Sequence, residues 1–142
     1  MVDEELKRAR SALKAFMSEM NQWEIRFCRA KQSALLEHLD TEGVDKEGRS
    51  NLIEIINRWA FPDKESEGRL IDLGCASPPS YDLESDVEEG AEMEGEVAIF
   101  TIRQTAGLKN QFRFTLKRQG GEWRIKKKEL LNFKDKWQRS VL

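Results

Sequence analysis

The chain has 142 residues, a net charge of −2, a sequence pI near 5.6 and two cysteines. That length is about one domain, and 39% hydrophobic residues, four Trp and seven Phe among them, describe a folded chain rather than a disordered one. The acidic balance points away from a nucleic-acid binder, no apolar run approaches the ~18 residues of a membrane span, and the charged N-terminus lacks a signal-peptide pattern. The expectation is one cytoplasmic domain over 1–142, without a membrane or nucleic-acid partner.

Asp3 to Leu39 reads as one helix. Leu6, Leu13, Phe16, Met17, Met20, Trp23, Phe27, Ala34 and Leu35 recur at three- and four-residue steps, which makes an apolar stripe. Asp3, Glu4 and Glu5 lie in the first turn, where the helix dipole favours negative charge. Any break in so long a helix is expected near Cys28 to Lys31. His38, the sole histidine, falls near the helix end, and no Ser or Cys partner is close in sequence. Cys28 and Cys75 fit no metal or redox spacing, so two free thiols is the blander reading and one disulfide the other.

Thr41 to Lys46 reads as a loop turning at Gly43. A second helix is expected from about Lys46 or Ser50 to Phe61, capped by Asp45 or Ser50 and stopped by Pro62. Leu52, Ile55, Ile56 and Trp59 give it one apolar face. Asp63 to Gly68 is expected to be a charged loop, and Arg69 to Leu73 a short strand. Ser77-Pro78-Pro79-Ser80-Tyr81-Asp82 reads as a rigid extended corner, because proline fixes φ and removes a donor. That corner would present Tyr81 in a set position.

Asp82 to Glu96 is the compositional outlier: Asp82, Glu84, Asp86, Glu88, Glu89, Glu92, Glu94 and Glu96 place eight carboxylates in fifteen residues. One reading is a solvated edge strand whose charges deter edge-to-edge pairing. Another is a binding surface for a basic partner. A calcium loop is a third, but the spacing departs from D-x-[DN]-x-[DN]-G. No metal or cofactor is expected.

Glu96 to Ile125 reads as strands around a tight hairpin. Phe112, Phe114 and Leu116 alternate with Arg113, Thr115 and Lys117, which is the period of a half-buried strand. Gly120-Gly121 supplies the positive φ values of a two-residue turn. The strand before it has apolar residues on both sides, so it is expected inside the sheet and covered on both faces. Phe133, Trp137 and Val141 at i, i+4, i+8 suggest a short terminal helix over about 133–141. Lys117 to Arg139 holds nine Lys or Arg against three acids, opposite in sign to the acidic stretch.

The order of elements, with MNQWEIRF in the first helix, ASPPSYDLESD after the second and the pair FRFTLKRQGGEWRIKKKE, resembles the nuclear-transport-factor-two-like fold. That fold is an α+β cone, with helices packed in a curved antiparallel sheet. Within it, the chain looks most like bacterial immunity proteins that accompany Rhs and other polymorphic toxins. The resemblance implies a protein that performs no chemistry, binds a cognate toxin domain as a monomer or weak homodimer, and so protects the producing cell. Tyr81, Asp82, Glu84, Asp86, Glu88, Glu89 and Glu92 are the partner-binding candidates, with Tyr81 as an aromatic anchor. The alternative is a small-ligand binder or an isomerase- or dehydratase-like enzyme of the same fold. It would need an acid or base inside the cone, and His38, Tyr81 and Asp72 are the inward candidates.

Overall fold

The computed structural model describes residues 2–71, 73–74 and 79–142. Among the described residues three helices, α1 (Val2–Leu36), α2 (Glu42–Trp59) and α3 (Lys64–Ile71), precede a five-stranded sheet. Its strands are β1 (Val87–Glu94), β2 (Val97–Arg103), β3 (Gln111–Gln119), β4 (Glu122–Leu131) and β5 (Trp137–Ser140). They form an antiparallel meander in the order β1-β2-β3-β4-β5. The expected α+β architecture is therefore present.

The apolar stripe of α1 is the spine of the core. Ala9, Leu13, Phe16, Met17, Met20, Trp23, Phe27 and Ala34 are buried, whereas Leu35 is exposed. The seven from Ala9 to Phe27 pack with Leu52, Ile55 and Ile56 of α2 against Ala98, Phe100 and Ile102 of β2, Phe114 and Leu116 of β3, and Trp123 and Ile125 of β4. Gly120 and Gly121 sit at φ +60° and +80°, and Gln119 pairs with Glu122 across them. β2 lies inside the sheet as expected, but only its Ala98, Phe100 and Ile102 face is buried; Val97, Ile99 and Thr101 are half-exposed.

α1 runs without a break to a cap made by His38. Its φ is +55°, Leu39 N–H donates to the Ala34 carbonyl (2.8 Å), and His38 N–H donates to the Leu35 carbonyl (3.2 Å). This is the Schellman arrangement, with histidine where glycine is usual. His38 is exposed on the surface and does not enter an interior site.

Several boundaries differ from expectation. α2 begins at Glu42, so Gly43, Asp45 and Ser50 lie inside it, and Glu42 N–H donates to Asp40 Oδ1 (3.0 Å). Glu42 and Asp45 suit the positive helix end, which offsets the weak helix preference of Gly43. Residues 64–71 form α3 in place of a loop and a strand. Three β-compatible residues are too few for a ladder without a partner, and the tertiary contacts of α3 against α2 and β5 decide.

The C-terminal helix is absent, and Trp137–Ser140 is a strand paired with β4. Trp137, Arg139 and Val141 also satisfy a period of two, and Phe133 points to solvent at 92% exposure. Asn132 enforces the turn: its Oδ1 accepts from Lys134 N–H (2.9 Å) and Lys136 N–H (3.1 Å), and Asp135 takes φ +58°.

Cys28 is disulfide-bonded, which overturns the free-thiol reading. A wide spacing in sequence says nothing of distance in space, which the fold sets. Cys75 and Asp72 lie outside the described residues.

Candidate partner-binding surface

The chain before β1 is clamped to the core. Glu24, only 2% exposed, accepts from Ser80 N–H (2.8 Å) and from the Ser80 hydroxyl (3.1 Å). Asn21 Nδ2 donates to the Tyr81 carbonyl (2.5 Å), and Gln104 Nε2 donates to the Ser80 carbonyl (3.0 Å). Tyr81 is set in position, but inward. It is 3% exposed, its ring meets Phe16 edge-on at 5.5 Å, and it lies 6.3 Å from Phe114. Tyr81 is a core residue and not an exposed anchor. An aromatic ring beside an apolar sheet face gains more from burial than from solvent.

Lys128 joins Tyr81 in this interior. Its Nζ donates to the Tyr81 hydroxyl (3.1 Å) and stands 4.2 Å from the Phe112 ring centre and 4.7 Å from that of Tyr81. Burial lowers its pKa to about 7, helped by the nearby Arg69 charge and opposed by Glu24 and Asp86. Burial also raises the Tyr81 pKa. Read as a sequence, Lys126, Lys127 and Lys128 are one basic run. A bulge in β4 sets their faces: Thr115 pairs with Lys127 and Leu116 with Ile125, so Lys126 is the extra residue, and Lys126 and Lys127 lie outward while Lys128 lies inward.

The acidic candidates separate into three groups. Asp82 and Asp86 hold their own turn: Asp82 Oδ1 accepts from Glu84 N–H (3.0 Å), and Asp86 Oδ2 accepts from Asp82 N–H (3.1 Å). Burial, with the Asp82 charge, raises the Asp86 pKa. Glu88 and Glu89 sit on β1 in ion pairs. Arg10 of α1 grips Glu88 in a fork (2.9 and 3.1 Å), and Arg103 approaches Glu89 at 3.2 Å. Glu84, Glu92 and Glu94 are exposed. Ala91 and Met93 pack on the core, so alternation turns Glu92 and Glu94 to the outer face of the sheet. The structure thus turns Glu89, Glu92 and Glu94 to one margin of the outer face, leaves Glu84 exposed in the turn, and gives Asp82, Asp86 and Glu88 structural work.

The rest of the outer face, which draws on the basic run Lys117 to Arg139, was not among the partner-binding candidates. Arg113 forks onto Glu129 (3.0 and 3.2 Å) and stacks on Trp137 at 4.5 Å. Burial opposes ionisation of Glu129, but the Arg113 hydrogen bond and charge, with Lys127 and Arg139, hold its pKa below the ordinary value. Beside this cluster is a groove of about 410 Å³ lined by Phe61, Pro62, Asp63, Lys117, Lys126, Lys127 and Arg139. A second groove, about 370 Å³, lies between α1 and α2 over the stacked Trp23 and Phe27 rings. Among the described residues no helix is long and apolar enough to cross a membrane, and no group of three or more His, Cys, Asp or Glu is placed to hold a metal ion.

The family described as NTF2 fold immunity protein matches residues 8–141. Immunity protein RhsIA of Dickeya dadantii (strain 3937) is 32% identical over 134 residues, covering 94% of this chain and 95% of that protein. No solved structure matches the chain. The matched span takes in the α1 core stripe, the clamped turn and the whole sheet, and the chain belongs to the NTF2-fold immunity proteins, with immunity against a toxin as its function and the toxin protein as its partner.

Proposed function

We propose that the protein neutralises its cognate toxin domain by binding alone, without chemistry, and that the acidic margin of β1 is the first contact. The observation that carries this reading is the placement of Glu92 and Glu94: exposed on the outer face of β1, at an open sheet edge. Carboxylates so placed attract a basic surface over long range and speed encounter. A toxin domain whose active surface is basic would be covered there. Glu88 and Glu89 add field while their arginine partners fix the strand, and Tyr81, Asp82 and Asp86 support the turn from within.

Two features support a binding role over an isomerase-like one. Phe16, Phe100, Phe114, Leu13, Met20, Leu116 and Ile125 are each at most 2% exposed and fill the space between helices and sheet. His38 caps α1 at the surface.

The test is co-expression with the toxin domain encoded beside this gene, then calorimetry at two salt concentrations. One-to-one binding with rescue of growth is expected, with slower association at high salt. Reversing Glu92 and Glu94 to Lys should slow association at least tenfold. Unchanged association would remove the acidic margin from the mechanism, and absence of both binding and rescue would remove the toxin-binding reading for that partner.

A further inference from the structure

Two β-bulges lie on opposite margins of the outer face, and each adds one charged side chain to it. In β1 the register steps from Glu88↔Ile102 to Gly90↔Thr101, which leaves Glu89 as the extra residue. Glu89 turns outward, to Arg103 (3.2 Å) and Gln111 (3.0 Å). In β4 the extra residue is Lys126, and it lines the same groove as Lys127, Lys117 and Arg139. Strict alternation would have sent Lys126 and Lys127 to opposite faces. Arg139 takes up the charge of Asp63, and Lys127 stands 3.7 Å from the buried Glu129, while Lys117 and Lys126 are exposed. The groove therefore keeps an excess of positive charge beside an apolar wall of Phe61 and Pro62.

The outer face thus runs from acid on β1, across half-exposed Val97, Ile99 and Thr101 on β2, to base on β4 and β5. Three strand spacings separate the margins, about 14 Å, which is within the width of a standard protein–protein contact.

We propose that the toxin domain lies across this outer face, with a basic patch against Glu92 and Glu94 and an acidic segment in the Lys126–Lys127 groove. This rests on the toxin-binding reading and adds to it the footprint, the orientation and the chemistry of the second contact. Opposite signs at the two margins admit one orientation of the partner and disfavour the reverse. A nucleic acid fits less well, because an acidic margin about 14 Å away repels a polyanion that extends beyond the groove.

The experiment uses the full chain and the purified toxin domain. Calorimetry compares wild type, Lys126→Glu/Lys127→Glu and Glu92→Lys/Glu94→Lys, with melting curves to confirm folding. In parallel, wild-type lysines are acetylated with and without toxin and read by mass spectrometry. The groove variant is expected to bind at least tenfold more weakly, and labelling of Lys117, Lys126 and Lys127 is expected to fall severalfold in the complex. If wild type binds tightly but the groove variant stays within twofold and labelling is unchanged, the groove proposal fails while the toxin-binding reading stands. Failure of wild type to bind sinks both. If a single-stranded oligonucleotide or a dimer of the free chain shields the same lysines without toxin, the face belongs to that partner and the proposal is overturned.

Discussion

Lys128 and Tyr81 meet in the core, Nζ to hydroxyl at 3.1 Å, and are 6% and 3% exposed. The ammonium group is ringed by the Tyr81, Phe112 and Phe114 faces, with Glu24 of α1, Arg69 of α3 and Asp86 of the acidic turn acting on it through their charges. Cation–π contacts and one hydrogen bond offset part of the desolvation penalty, yet the pKa still falls to about 7. The unfolded chain keeps the Lys128 proton up to about pH 10, whereas the folded chain releases it near 7. Between those values the unfolded state binds more protons, so stability from this group rises with pH and is flat below about 7. Its contribution is on the order of a few kcal/mol. Lys128→Met should raise the melting temperature at pH 7 and abolish that slope, as read by denaturant titrations at pH 7, 8 and 9. A slope unchanged in the variant would show that other groups carry it.

His38→Gly should stabilise the fold. The cap at φ +55° strains a side chain but not glycine, and relief is worth about 0.5–1 kcal/mol, less some loss from the greater freedom of unfolded glycine. Urea denaturation should move to a higher midpoint, with toxin binding unaltered. A loss of stability would mean the His38 side chain makes contacts that outweigh its strain.

Gly48→Ala tests the close approach of α1 and α2. A Cβ at Gly48 would lie 2.5 Å from Phe27 Cδ1, and that ring is fixed by stacking on Trp23 at 5.1 Å. Trp23 Nε1 also donates to the Gly48 carbonyl (2.8 Å), so the helices cannot part freely. The expected loss is about 1–3 kcal/mol despite the better helix propensity of alanine. A neutral or stabilising result would show that Phe27 can move aside.

Asn132→Ala removes the acceptor for two N–H groups in the β4–β5 turn. A loss of about 1–2 kcal/mol is expected, concentrated at the C-terminal edge. Hydrogen exchange should speed up in Trp137–Ser140 and leave β2 and β3 unchanged. Uniform acceleration across the sheet would show that β5 unfolds only with the whole domain.

What the sequence determined by itself was local and periodic. The α1 stripe, the Leu52–Ile56 face of α2, the alternation of Phe112–Leu116 and the Gly120-Gly121 turn are each encoded in neighbouring residues. The resemblance carried by MNQWEIRF, ASPPSYD and FRFTLKRQGGEWRI led to the family that the whole-chain comparisons show. Tertiary structure decided whatever depended on a partner distant in the chain. Tyr81 turned inward because α1 and β4 offered it a wall and a donor. Residues 137–140 became a strand because β4 had an open edge, although their spacing suited a helix as well. Lys128, and not Lys127, entered the core because one bulge shifted the register, and a shift of one residue exchanges the faces of a strand. Eight carboxylates in a row of fifteen residues looked like one surface; only packing could show which hold the fold and which face outward, since ion pairs such as Arg10 with Glu88 join residues that sequence keeps far apart.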